Sequence, residues 1–70
     1  MKKQKVKSST IISVGYDVPS KMLEVQFTNG DIYTYSNVPR NIYFQFLKSS
    51  SKGKYLWKNI RGVYKFNKGV

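Results

Sequence analysis

Apolar and polar residues alternate strictly along one stretch of the chain, from Leu23 to Phe27. This period of two is typical of a strand with one buried face and one exposed face. Asn29 and Gly30 follow it, and this pair of residues readily adopts the positive φ angles of a tight hairpin turn. The pattern therefore predicts a β-hairpin, with a second strand that begins shortly after Gly30.

The length of the hairpin turn decides which face of the sheet Tyr33 and Tyr35 join. A two-residue turn pairs Phe27 with Ile32 and puts both tyrosines opposite the apolar face. A three-residue loop with a glycine bulge pairs Phe27 with Asp31 and puts both tyrosines on the apolar face. The sequence leaves both registers open, and it favours the second because tyrosines beside an apolar strand are usually half-buried packing residues.

A cluster of β-branched residues from Thr10 to Tyr16 predicts a strand that precedes the hairpin. Strict alternation would put Ile12, Val14 and Tyr16 on one side of this strand and Ile11 on the other. Together with the hairpin, this strand predicts a three-stranded antiparallel meander.

A helix is predicted from Pro39 to Lys48, because proline suits the first helical position and an apolar stripe follows at helical spacing. The stripe consists of Ile42, Tyr43, Phe46 and Leu47. The run from Ser49 to Gly53 should end this helix, with Gly53 as the point of chain reversal.

The last part of the chain has weaker patterns. Leu56, Asn59 and Ile60 are spaced for one or two helical turns, and residues 63–66 predict a short final strand. The predicted fold class is therefore α+β: a three-stranded antiparallel meander packed by one helix, with a short C-terminal helical turn and a final strand.

Positive charge is concentrated at the two ends of the chain, whose formal net charge is +10. Residues 8–47 carry a formal charge of only −1, and eleven of the thirteen basic residues lie outside them. Residues 1–7 show no apolar periodicity and predict a basic, mobile tail, and residues 8–70 predict a single domain. A positive field of this kind raises the rate of encounter with polyanions.

Catalytic chemistry has few candidate residues in this chain. The sequence contains no histidine, no cysteine and only three carboxylates, Asp17, Glu24 and Asp31, none of them spaced as a metal site or a catalytic pair. We therefore expect no enzymatic activity, no metal and no cofactor. The lack of cysteine fits a reducing compartment and so a cytoplasmic location. No apolar stretch is long enough for a signal peptide or a membrane span.

Basic and aromatic residues interleave between Lys52 and Lys65. Lysine and arginine neutralise phosphates, and flat rings can stack on unpaired bases. We therefore expect a non-catalytic surface that binds RNA or single-stranded DNA. The candidate phosphate contacts are Lys52, Lys54, Lys58, Arg61 and Lys65, and the candidate base or sugar contacts are Trp57, Tyr55, Tyr33 and Tyr35.

Two alternatives remain open at this surface. Trp57 is either a stacking platform or a core residue, since Leu56 and Ile60 can fill the helical stripe without it. The same positive surface, together with Phe44, also fits an acidic protein partner, so a protein-interaction module is the second hypothesis. The exposure of the rings distinguishes these hypotheses, because buried rings would leave only charge. The oligomeric state also stays open, since an edge strand can pair with a second copy.

Five short motifs occur along the chain: Ser8-Ser9, Val14-Gly15-Tyr16-Asp17, Tyr33-Thr34-Tyr35, Ser51-Lys52-Gly53-Lys54-Tyr55 and Asn59-Ile60-Arg61-Gly62-Val63-Tyr64. With these motifs the chain resembles the KTSC domain over nearly everything that follows the basic tail. That domain stands alone or follows lysyl-tRNA synthetases, and no activity is established for it. The resemblance therefore implies an association with RNA and no particular reaction.

Overall fold

Five antiparallel strands form one sheet, in chain order, in the computed structural model of the protein, which describes residues 3–69. The strands are β1 (Lys3–Lys5), β2 (Ile11–Asp17), β3 (Met22–Phe27), β4 (Ile32–Tyr35) and β5 (Phe66–Gly69). Between β4 and β5 lie α1 (Arg40–Lys48) and α2 (Lys52–Tyr55), and α2 continues directly into a π-helical turn (Leu56–Ile60), called the π turn below. The predicted α+β class is confirmed, and the sheet has five strands, where the sequence predicts a three-stranded meander and a final strand.

The first additional strand comes from the segment predicted to be a mobile tail. Met1 and Lys2 lie outside the described residues, but Lys3–Lys5 pairs with β2 as an edge strand. The Lys3 ammonium group also forms an ion pair with Glu24 at 2.8 Å. The prediction of mobility is therefore wrong for these residues, because the free edge of β2 offers backbone partners to a segment that has no apolar pattern.

The second additional strand, β5, begins at Phe66, three residues later than the predicted final strand. The chain first turns at Gly62, whose φ of +83° is in the left-handed region that favours glycine. The backbone N–H groups of Val63 and Tyr64 both donate to the Ile60 carbonyl in this turn. Phe66 then pairs with Tyr35 at the edge of the sheet.

The hairpin adopts the second of its two possible registers. The Phe27 N–H donates to the Asp31 carbonyl at 2.8 Å, and Val25 lies opposite Tyr33. Gly30, with a φ of +97°, supplies the left-handed residue that a three-residue loop requires. Both tyrosines therefore lie on the apolar face, and Tyr35 is only 1% exposed.

Strand β2 contains a bulge that changes the predicted alternation. Ile11 lies opposite Phe27 and Ser13 lies opposite Gln26, so Ile12 is an extra residue without a partner. Ile11 is consequently 1% exposed and Ile12 is 40% exposed. The prediction that Ile12 shares the core side with Val14 is wrong because of this extra residue.

Helix α1 covers the apolar face of the sheet, as predicted from its stripe. Phe46 is fully buried, while Ile42, Tyr43 and Leu47 are half-buried against the core. Pro39 lies immediately before the helix and not at its first position. The core consists of Ile11, Val14, Leu23, Val25, Tyr35, Val38, Phe46, Leu56 and Ile60.

The sequence predicts that Gly53 reverses the chain after α1. Gly53 instead lies within α2. A Cβ atom at this position would come within 2.9 Å of the Thr10 hydroxyl oxygen. Glycine therefore allows α2 to approach the loop that precedes β2. Across residues 3–69, no helix is long and apolar enough to cross a membrane.

Candidate functional site

A broad open groove lies between the β3–β4 hairpin, the loop of residues 7–10, and the segment formed by α2 and the π turn. Its volume is about 1160 Å³. We call it the basic groove, because it is lined by Lys7, Lys52, Lys54, Lys58 and Arg61. Its helical wall is formed by α2, the π turn and Arg61, and its hairpin wall includes Phe27, Asn29, Asp31 and Tyr33.

Two buried residues hold the helical wall in place. Leu56 and Ile60 lie four positions apart and pack into the core, so the residues between them face outward. The Arg61 N–H donates to the Leu56 carbonyl at 2.7 Å, across five residues instead of the usual four. Such widened turns occur often at functional sites. Here the turn brings Arg61 close to the ring of Trp57.

Trp57 and Arg61 form a stacked pair at the edge of the groove. The central guanidinium carbon of Arg61 lies 3.8 Å from the centre of the Trp57 ring. Trp57 is nevertheless 64% exposed, so it is not a core residue. The pair places a flat aromatic surface beside a permanent positive charge.

The carboxylate side chains of the described residues contact groups other than the cations of the helical wall. Glu24 pairs with Lys3 and Asp31 pairs with Lys68. Asp17 accepts hydrogen bonds from Ser20, chiefly from its hydroxyl group, and they lower the pKa of the Asp17 carboxyl. Within the part of the chain that the structure describes, no carboxylate forms an ion pair with a cation of the helical wall. The positive charge of the cations on the helical wall therefore remains available to an anionic ligand.

The described residues offer little to a metal ion or a metal-dependent cofactor. Among residues 3–69, no three histidine, cysteine, aspartate or glutamate side chains come together. The features that distinguish the site are therefore its positive charge and its aromatic surface.

Five of the nine predicted site residues lie together on the helical wall: Lys52, Lys54, Trp57, Lys58 and Arg61. Lys52 also donates from its ammonium group to the Ser49 carbonyl at 3.1 Å, which holds it at the start of α2. These five residues of the interleaved segment thus form one continuous surface.

The two predicted tyrosines of β4 border the groove and pack against other aromatic rings. Tyr35 is buried in the core and cannot stack on a base. Tyr33 is half-buried between two phenylalanines, with the Phe27 ring edge-on at 5.4 Å and the Phe66 ring stacked at 5.2 Å. Both rings therefore serve packing.

Tyr55 and Lys65 do not line the groove. The Tyr55 hydroxyl donates to the Gln45 side-chain carbonyl at 3.0 Å, and its ring packs near Phe46. Burial raises the pKa of Tyr55. Lys65 lines a separate shallow depression around Phe66. These two residues join other surfaces because α2 and the Gly62 turn point them away from the groove.

Sequence reasoning did not assign a site role to the loop of residues 7–10 or to Asn29, which complete the groove. The Ser8 hydroxyl accepts from the backbone N–H groups of Thr10 and Ile11, which holds this loop in a tight turn. In the folded chain Thr10 closely approaches Gly53, and the loop therefore lies beside α2. The Ser8-Ser9 motif was the one sequence signal at this position.

Comparisons with known proteins identify the family of the chain. The KTSC domain model matches residues 7–64. An uncharacterised protein of Stutzerimonas stutzeri is 36% identical over 55 residues, which cover 79% of this chain and 78% of that protein. A lysine–tRNA ligase of Nostoc sp. is 32% identical over 62 residues, which cover 89% of this chain but only 11% of the ligase.

A crystal structure of a KTSC domain protein from Yersinia pestis has the same fold. It superposes with a TM-score of 0.93 at 37% sequence identity, and the match covers 99% of this chain and 97% of that one. The family model thus covers most of the chain and a KTSC domain protein has the same fold, so the chain belongs to the KTSC domain family.

Proposed function

We propose that this domain binds single-stranded nucleic acid, RNA or single-stranded DNA, through the basic groove and without catalysis. The observation that carries the proposal is the exposed ring of Trp57, stacked against Arg61 at the edge of a groove lined by five cations. Lysine and arginine neutralise phosphates, and an exposed ring stacks on an unpaired base.

The form of the groove supports an extended polymer as the ligand. Small-molecule pockets usually have volumes of about 300–1000 Å³ and enclose most of their ligand. The basic groove is larger, at about 1160 Å³, and open to solvent. A single strand can lay its phosphates along the lysines and turn unpaired bases toward the Trp57 ring, whereas the bases of a duplex already stack on one another.

RNA is the form of single strand that the comparisons support. A segment similar to this chain occurs in proteins named lysine–tRNA ligase. We further propose that the domain acts in the cytoplasm, because a small chain without cysteine fits a reducing compartment. No covalent step is part of the proposal, since the sequence lacks histidine and cysteine.

Trp57 is the only tryptophan in the chain and provides an intrinsic probe for a direct test. A mixed-sequence RNA of about eight nucleotides is added at physiological salt of about 0.15 M, and the Trp57 emission is followed. Stacking of a base on the indole should quench the emission in a saturable way. Lys58→Ala should weaken binding, and Lys5→Ala, with the same loss of charge on β1, should weaken it much less.

Two results would contradict the proposal. One is an emission that stays unchanged while RNA binds, because the ring would then make no contact with a base. The other combines two findings: Lys58→Ala and Lys5→Ala lose the same affinity for RNA, and the wild-type protein does not bind RNA at physiological salt. That result would mean general charge attraction.

An interaction module for an acidic protein is the second candidate function. One observation favours it: Phe44 on α1 is 50% exposed and packs only partly on Tyr43, with the ring centres 5.9 Å apart. Arg40 begins the same helix and adds positive charge to this surface. A loss of partner binding in Phe44→Ala, with RNA binding unchanged, would support this function.

A further inference from the structure

The two walls of the basic groove differ in charge. The helical wall carries Lys52, Lys54, Lys58 and Arg61, whereas the hairpin wall carries the carboxylate of Asp31. Phosphates are attracted to the first wall, whereas the hairpin residues that line the second wall include no cation. A single strand in the groove should therefore run its backbone along the lysines of the helical wall, with one base stacked on Trp57 at the edge of the groove and neighbouring bases turned toward the hairpin.

The Asp31 side chain is held in a defined position at the hairpin tip. The Asn29 amide nitrogen donates to Oδ2 of Asp31 at 3.2 Å, and the Asn29 side-chain oxygen accepts from the Asp31 backbone N–H at 3.0 Å. The Lys68 ammonium group lies 3.5 Å from the same Oδ2 atom. These contacts fix the carboxylate before any ligand arrives.

The second carboxylate oxygen of Asp31 is available to a ligand. Both side-chain contacts fall on Oδ2, and among the described residues no donor contacts Oδ1. The Asp31 side chain is 35% exposed. A carboxylate oxygen only accepts hydrogen bonds, so its natural partner on a base is an amino group.

This acceptor distinguishes bases by their exocyclic groups. Cytosine presents its N4 amino group to an aspartate or glutamate side chain. Uracil has a carbonyl oxygen at the same ring position, and a fixed carboxylate repels it. Adenine and guanine also carry exocyclic amino groups.

We propose that Asp31 gives the groove a preference for bases that carry an exocyclic amino group, so that the domain selects cytosine over uracil. This inference rests on the proposed binding of single strands. It assigns a specificity-determining role to a residue of the hairpin tip, whereas the lysines and Trp57 supply affinity for any sequence.

The test compares oligocytidine and oligouridine of about eight nucleotides by fluorescence anisotropy. The two bases have the same ring size and differ only along the edge that carries the exocyclic group. Wild-type protein should bind oligocytidine about fivefold to tenfold more tightly, at the lower end of what a base contact provides. Asp31→Asn should bring this ratio close to one, because an amide presents both a donor and an acceptor.

Glu24→Gln is the matched control. It removes the same charge, but Glu24 pairs with Lys3 and alternates with the buried Val25, so it lies on the opposite face of the sheet. Glu24→Gln should shift both affinities together and keep the ratio. Backbone amide spectra of both variants verify that the fold is intact.

Three outcomes would overturn the inference. A wild-type ratio near one would show no selection of the amino group, and the proposed function would stand because both oligomers bind. A ratio that persists in Asp31→Asn would assign the selection to another residue. Failure of both oligomers to bind the wild-type protein would remove the proposed function as well.

Discussion

Trp57 exposes most of its indole to solvent, while the neighbouring Leu56 is buried. One step along the π turn thus separates the proposed ligand contact from the core. Arg61 covers part of the ring, and at an exposed site such a cation–π contact contributes about 0.5–1 kcal/mol. Substitutions at these two adjacent residues should therefore separate an effect on the proposed binding from an effect on stability.

Trp57→Ala should weaken the binding of single-stranded RNA by about 1–3 kcal/mol, because one stacked base loses its platform. The free energy of unfolding should fall by no more than about 1 kcal/mol, the value of the contact with Arg61. Fluorescence anisotropy with labelled RNA and urea unfolding followed by circular dichroism measure the two effects.

Leu56→Ala is the control for this substitution. Truncation of a buried leucine should reduce the free energy of unfolding by about 2–5 kcal/mol. Equal destabilisation by the two substitutions would contradict the exposed position of Trp57.

Tyr35 and Tyr43 make the fold sensitive to high pH. Burial raises the pKa of both hydroxyl groups above the value of 10.0 for an exposed tyrosine. A pKa raised by folding contributes stability that is complete below pH 10 and is lost as the pH rises through the folded value. The free energy of unfolding should therefore decrease above about pH 10.

Urea unfolding at a series of alkaline pH values, with tyrosinate absorbance followed in parallel, measures this decrease. Tyr35→Phe should reduce it, since phenylalanine keeps the ring and removes the ionisable hydroxyl. An identical alkaline decrease in Tyr35→Phe would contradict a contribution from Tyr35.

The elements that the sequence predicted correctly are those whose signal is local. The alternation of β3 and the stripe of α1 each reflect burial against one core, so periodicity is sufficient to identify them. Strands β1 and β5 are exposed along their whole length, and they form through backbone pairing with the two edges of the sheet: β1 with the neighbouring β2, and β5 with β4, more than 30 residues earlier in the sequence. Pairing of this kind leaves no periodic pattern of apolar residues in the sequence.

The same distinction applies to the candidate site. The helical wall is one continuous segment, and the interleaving of lysines with Trp57 was visible in the sequence. The other contributors, Lys7 and the hairpin tip, join the groove only through the topology of the sheet. Tyr35 was included wrongly, because its burial depends on the hairpin register, which the sequence left open.

Gly30 determines the register of the hairpin, and with it the position of Asp31. Gly30→Ala should destabilise the protein by about 1–3 kcal/mol, because a φ of +97° is strained for a residue with a Cβ atom. Thermal unfolding should show this as a decrease in Tm of about 4–8 °C for each kcal/mol.

Gly69→Ala in β5 is the matched control. A Cβ atom there would meet the Ile32 carbonyl oxygen at an ordinary contact distance of 3.6 Å. Its effect should stay within about 0.5 kcal/mol. A loss of stability in Gly69→Ala as large as in Gly30→Ala would contradict the role of the left-handed conformation.

The charge of the whole molecule favours any polyanion, since the net charge is +10. Specific binding is therefore recognised by how it depends on salt and on the position of each charge. On a single strand, each phosphate contact contributes about −0.7 to the slope of log affinity against log salt. If the five cations of the groove each contact a phosphate, the slope should be about −3.5.

Lys58→Ala should reduce the steepness of this slope to about −2.8, because one phosphate contact is lost. Lys5→Ala, which removes a charge outside the groove, should leave the slope near −3.5. Anisotropy titrations over a range of salt concentrations give these slopes. A flat salt response of the wild-type protein would contradict phosphate binding.

The order of the strands also determines how the domain responds to tension. The first and last strands, β1 and β5, form opposite edges of the sheet and are not bonded to each other. Neighbouring strands are antiparallel, so β1 and β5 run in the same direction, and a force applied through the two ends of the chain pulls them in opposite directions along their axes. The hydrogen bonds of each outer ladder are then loaded together in shear. The outer strands should give way before the three central strands, which are packed against α1.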